Sequence, residues 1–373
     1  MRPGLALLLL CLLVAPAAEA GVPEGAGVYR SDDGGRTWTH LTTSPPVDGV
    51  FALAVDPVRP ARVVLASDQS LWLSEDEGGD WRRASVPAAA ADAAAFALAV
   101  DPTRPDRLWA GTEAGLLRSE DGGSSWALIA DLPPATALAV GLGEAGPRLY
   151  AGAADGLRVS DDGGQTWVGD GAGLEGGVLA LAVDEGGEVV VGTTVGVFVR
   201  GGEGEELAPA RGLPKGASRA ATFQSDGSAL ATVIHQLYRR ASGWQKLATL
   251  PLAVNGDLPT ITAILPLDDG RLLIGTEHGL HSSEGWKLVP PFDGLTHLEI
   301  AALALDPTRP ERIYLGASSI PNAVALGRVG ILFTTAAVNE APEARFEVAI
   351  ALFFLVGGVL AVRYLSRPTA ARS

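Results

Sequence analysis

A motif of the form Ser-x-Asp-x-Gly-x-x-Trp occurs four times in the first half of the chain. Its fixed positions are Ser31, Asp33, Gly35 and Trp38; Ser74, Asp76, Gly78 and Trp81; Ser119, Asp121, Gly123 and Trp126; and Ser160, Asp162, Gly164 and Trp167. The four tryptophans lie 43, 45 and 41 residues apart. A spacing in the low forties is the length of chain that one four-stranded blade of a β-propeller uses. The motif therefore predicts an all-β propeller, and it leaves the chemistry open.

The strand pattern around the motif predicts the number of blades. Each repeat has an inner strand of small apolar residues, such as 52–55, 97–100 and 302–305, followed by three further strands. The first outer pair of strands, at 27–41, has no inner pair before it, and the last inner pair, at 300–317, has no regular outer pair after it. We therefore predict seven blades, with one blade closed by pairing of the N- and C-terminal strands. Six or eight blades are the alternatives.

Every position of the motif fits a tight hairpin. An Asp side chain accepts hydrogen bonds from nearby backbone amides, Gly takes a positive φ without strain, and Trp supplies a large apolar surface. We therefore expect all four copies to be structural, with the Trp packed between adjacent blades. The alternative is a calcium site at an acidic turn such as Glu75-Asp76-Glu77, although a single turn offers few oxygen ligands.

These residues resemble the Asp-box, or BNR, repeat. The longer pattern from Leu98-Ala-Val-Asp101-Pro to Asp121-Gly-Gly-Ser-Ser-Trp126 is similar to repeats of sortilin-type receptors, photosystem II assembly factors and xyloglucan-degrading hydrolases. The resemblance extends over residues 27–335. It implies a β-propeller and leaves the function open, because enzymes and binding proteins both carry the repeat.

Sialidase activity is not expected, although sialidases carry the same repeat. The family resemblance implies an arginine triad, whose first member lies in an Arg-Ile-Pro string, a Tyr nucleophile paired with Glu, and an Asp acid. No Arg-Ile-Pro string occurs here, and Tyr29, Tyr150, Tyr238 and Tyr314 lie in predicted strands. The sequence therefore assigns no catalytic residue, and we favour a protein that is not an enzyme.

Both ends of the chain carry apolar segments outside the repeats. Residues 1–20 have a leucine-rich stretch and an Ala18-Glu19-Ala20 pattern, which predicts a cleaved signal peptide. Residues 348–365 predict one transmembrane helix, after a linker at 339–347 and before a cytoplasmic tail at 366–373. Arginines follow the helix and glutamates precede it, so the propeller, 21–338, is expected on the extracytoplasmic side of the cell membrane. The alternatives for 348–365 are a buried core helix and a removable sorting tail.

Composition and motifs argue against several partners. The net charge is −15 without a basic stripe, so nucleic acid is not an expected partner. Cys11, the one cysteine, lies within the predicted signal peptide. His278 and His281 follow a strand and a Gly turn, where their side chains point to opposite faces, and we interpret them as a surface turn. No phosphate loop, nucleophile elbow or metal motif occurs, so no cofactor and no metal ion is predicted.

The variable loops predict a protein-binding or assembly module whose protein or glycan ligand binds one face. Loops that vary on a repeating framework are typical of a binding surface, and here they are 42–50, 171–177, 208–218, 253–260 and 291–299. The alternative is a glycoside hydrolase on the same scaffold, which needs two carboxylates facing each other across a central cleft. The candidates between blades are Asp48, Glu175, Asp257 and Asp293. An enclosed pocket would instead indicate a sensor for a small ligand.

Overall fold

Seven antiparallel sheets of four strands each make up the protein. The computed structural model describes residues 25–319, except for 42, 131, 144–145, 203–204, 251–257, 285–286, 289–294 and 296–297. The sheets are arranged as the blades of a ring, and each blade runs from an innermost strand a to an outermost strand d. The prediction of an all-β propeller with seven blades is confirmed.

Blades 2 to 7 each use four strands that are consecutive in the chain. Blade 2 contains β3 (Val50–Val55), β4 (Val63–Ser67), β5 (Ser70–Ser74) and β6 (Arg82–Arg83); blade 3 contains β7 (Ala95–Val100), β8 (Leu108–Thr112), β9 (Gly115–Ser119) and β10 (Ala127–Ala130); and blade 4 contains β11 (Ala137–Gly143), β12 (Gly146–Ala153), β13 (Gly156–Ser160) and β14 (Val168–Gly169). Blade 5 contains β15 (Val178–Val183), β16 (Val189–Thr193), β17 (Val197–Arg200) and β18 (Ala208–Pro209); blade 6 contains β19 (Ala221–Phe223), β20 (Ala229–Val233), β21 (Gln236–Arg240) and β22 (Trp244–Thr249); and blade 7 contains β23 (Ile261–Pro266), β24 (Leu272–Thr276), β25 (Gly279–Glu284) and β26 (Lys287–Leu288). A short 3-10 helix, Ala88–Ala90, lies between blades 2 and 3.

Blade 1 is built from the two ends of the described chain. Its inner strands are β27 (Glu299–Asp306) and β28 (Arg309–Ser318), and its outer strands are β1 (Gly27–Ser31) and β2 (Thr39–His40). β1 pairs antiparallel with β28 over five residues of each strand. The predicted closure by N- and C-terminal strands is confirmed, and it removes the open sheet edges that an unclosed ring would leave.

The innermost strands explain why small residues recur in the sequence. β3, β7, β11, β15, β19, β23 and β27 contact one another in that order and close on β3. On β8, a Cβ atom at Gly111 would lie 2.1 Å from the carbonyl oxygen of Ala135 at the start of the next blade. Because no side chain fits there, β8 needs glycine where the neighbouring blade approaches.

The turns of each blade lie on two opposite faces, because its strands alternate in direction. The a–b turns and the c–d hairpins lie on one face, which we call the box face because it carries the Asp-boxes. The b–c turns and the connections from strand d to the next blade lie on the other, which we call the loop face. Both ends of the described chain, Gly25 and Ser319, lie on the loop face.

The predicted segments at the two termini lie outside the described residues. They are the signal peptide at 1–20, the end of the propeller domain at 320–338, the linker at 339–347, the transmembrane helix at 348–365 and the tail at 366–373. Within residues 25–319 as described, no helix is long and apolar enough to cross a membrane.

Candidate functional site

The four Asp-boxes lie in the c–d hairpins of blades 1 to 4, on the box face. In the first box, Ser31 Oγ donates to Asp33 Oδ1 (2.7 Å) and accepts from the Gly35 amide (2.8 Å). Asp33 also accepts from the amides of Arg36 and Thr37 (both 2.9 Å) and from the Thr37 hydroxyl (2.6 Å). The Ser–Gly bond recurs at 2.8–2.9 Å in the other three boxes. The box residues are thus hydrogen-bonded to one another within each hairpin.

The box tryptophans pack against the preceding blade. Trp126 of blade 3 is 6% exposed and lies in one apolar cluster with Val64 of blade 2. Its indole N–H donates to the carbonyl oxygen of Gly123 (3.0 Å), and Trp81 and Trp167 make the same bond within their own boxes. How much these side chains stabilise the ring stays a prediction.

One box has a glutamate where the other boxes have a glycine with left-handed backbone conformation. Glu77 has a φ of +63°, where the other three boxes have glycines at +72° to +73°. A side chain in this conformation costs about 1 kcal/mol. The Glu77 carboxylate forms ion pairs with Arg309 and Arg312 on β28 of blade 1. The hydrogen bond from Arg309 is the largest cause that holds the pKa of Glu77 below its ordinary value, so this box also ties blade 2 to the closing blade.

The box aspartates should make the ring sensitive to acid. Burial on its own raises the pKa of Asp33, but hydrogen bonds from Thr37, Ser31 and Arg36 outweigh it and lower that pKa from 3.8 to about 2. The hydroxyl and amide of Thr166 lead the causes that lower the pKa of Asp162 to about 2. Because the folded-state pKa lies below the unfolded one, the stabilisation is complete above pH 3.8 and is lost as the pH falls towards 2.

We expect urea unfolding at a series of pH values to show this loss, at about 1 kcal/mol for each of these partly exposed boxes. The double variant Asp33→Asn and Asp162→Asn should start less stable at neutral pH and lose less on acidification. A variant with the same acid dependence as the parent would contradict this assignment.

Blades 5 and 6 replace the box serine with arginine. Seven residues occupy equivalent positions near the end of strand c, one in each blade, where each pairs with a residue of strand b. They are Ser31, Ser74, Ser119, Ser160, Arg200, Arg240 and Ser283. Both Asp170 oxygens of the blade 4 connection accept from Arg200 Nη1 (2.8 Å). Arg240 Nη2 lies 2.6 Å from Glu188 Oε2 of blade 5. In each case the arginine forms an ion pair with the preceding blade.

We expect Arg200→Ala to lower the free energy of unfolding by about 2–3 kcal/mol, because the partly buried Asp170 loses its charged partner. Asp170→Asn should cost less, and the double variant should show a coupling energy of about 1–3 kcal/mol in a double-mutant cycle followed by urea unfolding. Additive effects of the two substitutions would refute the inter-blade link. Arg200→Ser should not rescue stability, since the hairpin of blade 5 lacks the box aspartate.

On the loop face, apolar side chains fill the mouth of the axial channel. Phe51, Phe96 and Leu179, near the starts of the innermost strands of blades 2, 3 and 5, are buried in one cluster with Ala94 and Ala217. The rings of Phe51 and Phe96 stack with centroids 5.9 Å apart. Since blades 2, 3 and 5 are not all adjacent, these side chains meet towards the axis of the ring. A buried apolar cluster therefore lies at the mouth of the channel on this face.

Beside this cluster, a buried ion-pair triad joins blades 6, 7 and 1. Arg219, just before β19, donates through Nη1 to Glu277 Oε1 and through Nη2 to Glu299 Oε1 (both 2.6 Å). The side chains of Arg219 and Glu299 are each 4% exposed, and that of Glu277 is 31% exposed. Burial on its own lowers the pKa of Arg219, but the charges of Glu299 and Glu277 outweigh burial and raise it. The guanidinium thus lies between the two carboxylates.

A groove of about 490 Å³ opens on the loop face at blade 4. Its walls are the b–c turn at Ala154 and Asp155 and the connection that follows Gly169. Arg158 Nη1 and Nη2 donate to the two carboxylate oxygens of Asp155, at 2.8 Å and 2.6 Å. Five of the lining residues are glycines, so much of the lining is backbone.

The structure describes two of the four acids that the sequence predicts in the loops. Asp48 is exposed, and its carbonyl oxygen accepts from the amide of Ser319 (2.9 Å). Glu175 is exposed beside the blade 4 groove. Asp257 and Asp293 lie outside the described residues. No group of three or more His, Cys, Asp and Glu residues able to hold a metal ion occurs in the described part of the chain.

The histidine pair does not form a surface turn as a whole. His278 lies half-buried in the b–c turn of blade 7, whereas His281 lies within β25 and is 3% exposed. The two residues therefore occupy different environments, and the description as a surface turn fits only His278.

Sequence reasoning singled out neither Arg219 nor Glu299, and it named 171–177 and Glu175 as loop candidates without predicting the blade 4 groove. A signal for the first two was present, since a charged residue stands at the start of an innermost strand in blades 6 and 1, where most other blades have apolar residues. The glycines at 169, 171, 173, 176 and 177 mark the connection that lines the groove.

Fold and boxes together define a seven-bladed β-propeller of the Asp-box repeat type. Residues 26–132 match the Sortilin-Vps10 family model, described as sortilin, neurotensin receptor 3. This match covers less than half of the chain. A search of the curated proteins gives no match.

Solved structures with the same fold include both binding proteins and enzymes. A structure of YCF48 bound to D1 peptide is 14% identical, with 73% of this chain and 95% of that chain covered and a TM-score of 0.56. The GH74 xyloglucanase from Xanthomonas campestris is 22% identical, with 74% and 54% covered and a TM-score of 0.57, so this chain spans about half of that enzyme. The extracellular domain of a putative one component system from B. thetaiotaomicron is 13% identical, with 74% and 38% covered and a TM-score of 0.60. At these identities the likeness establishes the fold alone.

Proposed function

We propose that this protein is an extracytoplasmic propeller, anchored by a C-terminal membrane helix, that binds a partner protein through its loop face. The observation that carries the proposal is the buried apolar cluster of Phe51, Phe96 and Leu179 at the axial mouth of that face. Because these side chains occupy space at the mouth, we expect a partner to bind on the surface of the face, which suits a protein chain.

The composition of the loop face supports a protein ligand over a glycan. The described residues of the inter-blade connections and b–c turns include no Phe, Tyr or Trp. Ligand sites usually rely on aromatic and apolar side chains for contact area, and a sugar ring would find no aromatic platform in these loops. The structure of YCF48 bound to D1 peptide is a case in which a propeller of this fold holds a peptide.

The acids near the axis argue against the glycoside hydrolase alternative. Glu277 and Glu299 are the acids that the triad brings together, and the Arg219 guanidinium lies between them. In a hydrolase the two carboxyl groups flank the scissile bond, and one of them must be protonated to act as the acid. The xyloglucanase from Xanthomonas campestris keeps this alternative worth testing.

The membrane anchor and the cell-surface location rest on sequence. The apolar segment 348–365, the charges around it and the leader at 1–20 support them. Extraction of a membrane fraction with alkaline carbonate would test the anchor, since the full chain should stay in the pellet. A variant truncated after residue 338 should move to the soluble fraction.

Crosslinking mass spectrometry on the full chain, in membranes of the source organism, tests the protein-binding function. Crosslinks to one partner should map to the loop face, and a photo-reactive residue at Asp48 should capture that partner while one at Asp161 on the box face should not. A parallel glycan array should give no binding and no turnover. Turnover of a glycan, or partner crosslinks confined to the box face, would overturn the proposal.

A further inference from the structure

Two exposed cations on the loop face have no acidic partner. Arg211 and Lys215 lie in the connection from blade 5 to blade 6, and no carboxylate of the described residues forms an ion pair with either of them. Every other arginine whose side chain the structure describes forms an ion pair. Carboxylates are plentiful in a chain with a net charge of −15, so these two cations stand out as available to a ligand.

The loop that carries the two cations is held at both ends. The Ala210 amide donates to the carbonyl oxygen of Val197 (2.9 Å), and the Gly216 amide donates to that of Val195 (3.0 Å). Between these anchors, Leu213 packs against the apolar cluster of blades 5 and 6. A loop that is already ordered loses little conformational entropy when a partner binds.

A strained residue supports the same loop from blade 6. Ile234 has a φ of +56°, a left-handed conformation that is unusual for a β-branched residue. Its amide donates to the carbonyl oxygen of Ala217 (2.8 Å), and its Cδ1 lies 2.9 Å from where a Cβ atom would be at Gly216. In blade 5 the equivalent amide, that of Thr194, bonds Gly177 without a positive φ. Strain of this kind persists where the surroundings enforce it, and it is concentrated at binding and other functional sites.

The length of the loop does not account for the two cations. The connection 170–177, from blade 4 to blade 5, has the same length as 210–217, since both begin at an amide bonded to strand c and end at a carbonyl oxygen bonded to the next b–c turn. It has Gly171 and Glu175 in the places of the two cations. The fold of such a connection therefore does not require the cations.

We propose that the 210–217 loop binds an acidic segment of the partner protein, with the Arg211 guanidinium and the Lys215 ammonium each facing a carboxylate of that segment. This rests on the proposed function and names the chemistry of the partner. A guanidinium can hold a carboxylate through two parallel hydrogen bonds. Charges at the surface of an interface act mainly on specificity, on the association rate and on its salt dependence, so the contact selects the partner and its orientation.

An acidic protein segment suits this surface better than an anionic membrane. Asp48 and Glu175 are exposed on the same face, and a flat anionic surface that reached the two cations would also meet these carboxylates. Anionic membranes are bound by clusters of about four to eight Lys and Arg residues. The loop offers two cations, which are enough for two carboxylates of one segment.

A matched pair of charge reversals tests the loop. Lys215→Glu gives the loop the residue of its counterpart, Glu175. Lys246→Glu makes the same change on β22 of blade 6, where Lys246 is also exposed and has no ion pair among the described residues. The double variant Arg211→Gly and Lys215→Glu removes the remaining cation of the loop as well. All three variants should keep the thermal midpoint of the parent, because the changed side chains are exposed.

The probe is a display library of random short peptides, selected on the purified full chain in detergent at low salt. One enriched class should carry Asp or Glu, although the net charge of the protein favours basic peptides. For one such peptide, fluorescence anisotropy should show at least about tenfold weaker binding to the double variant, an intermediate loss for Lys215→Glu and no change for Lys246→Glu. The same peptide with Asn and Gln in place of its acids should bind the parent as weakly as the original binds the double variant.

Three outcomes would overturn the inference. A library without acidic peptides would exclude the loop as an acid-binding surface, and the crosslinking result would then decide the wider function. Acidic peptides that bind the double variant as tightly as the parent would place their site elsewhere, and the proposed protein-binding function would stand. A short-chain phosphatidylglycerol that binds the parent but not the double variant, when no acidic peptide does, would assign the loop to a membrane surface.

Discussion

Trp126→Ala should lower the free energy of unfolding by about 3–5 kcal/mol, the usual cost of removing a buried Trp side chain. Trp126 is 6% exposed and packs in the apolar cluster shared by blades 2 and 3. A blade in a ring contacts only its two neighbours, so a cavity at this seam cannot be filled from elsewhere. Urea unfolding of the full chain, followed by tryptophan fluorescence and circular dichroism, measures the loss.

Two further variants separate the contributions of the Trp126 side chain. Trp126→Phe keeps most of the apolar contact and loses the N–H bond to Gly123, so it should cost about 1–2 kcal/mol. Trp167→Ala should cost less than Trp126→Ala, because Trp167 is only partly buried. Equal effects at the two positions, or a loss under about 1 kcal/mol at Trp126, would contradict the conclusion that packing of the box tryptophan between two blades stabilises the ring.

The fold was predictable because its determinants are local and repeated. Hydrogen bonds within a hairpin, such as those of Ser31 and Asp33, depend on residues at most four positions apart, and a repeat makes the same local pattern visible several times. The closure could be predicted as well. The N-terminal end of the repeats has two outer strands without inner strands, and the C-terminal end has two inner strands without outer strands, so the four together complete one blade.

The links between the later blades were not predictable, because they depend on distant residues. In the sequence, Arg200 is recognised only as a replacement of the box serine. The residues around it do not indicate that Asp170 of the preceding blade faces it. In the sequence, Glu77 resembles an ordinary acidic turn residue. Its ion-pair partners Arg309 and Arg312 lie more than 200 positions away, so the pairing could not be predicted from neighbouring residues. Such pairs become visible only when the ring is closed.

The candidate site was the hardest part to predict, because its floor is backbone. The glycines of 171–177 mark a variable loop, but glycines are also the commonest turn residues, so they do not show that a groove forms there. At the axial mouth of the loop face, where the predicted loops converge, Phe51 and Phe96 lie buried in an apolar cluster. Both residues are the second residues of innermost strands, where a single sequence does not show whether an aromatic ring turns to the axis.

Arg219→Met should lower the free energy of unfolding by about 3–5 kcal/mol, because it leaves two carboxylates next to each other without their cation. Glu299 is 4% exposed and cannot be hydrated in the ring as it stands. Arg82→Met is the matched control, since Arg82 is 48% exposed and pairs with the exposed Glu75. We expect it to change the stability by less than about 0.5 kcal/mol.

Removing the two acids as well should restore most of the stability lost in Arg219→Met. The triple variant Arg219→Met, Glu277→Gln and Glu299→Met removes all three charges of the triad, and apolar replacements of buried ion pairs are often neutral. The deficit of the single variant should also shrink on acidification, because protonation removes the repulsion between the two carboxylates that have lost Arg219. A deficit that is independent of pH and persists in the triple variant would mean that Arg219 acts through packing, and that the charges at the loop face do not join blades 6, 7 and 1.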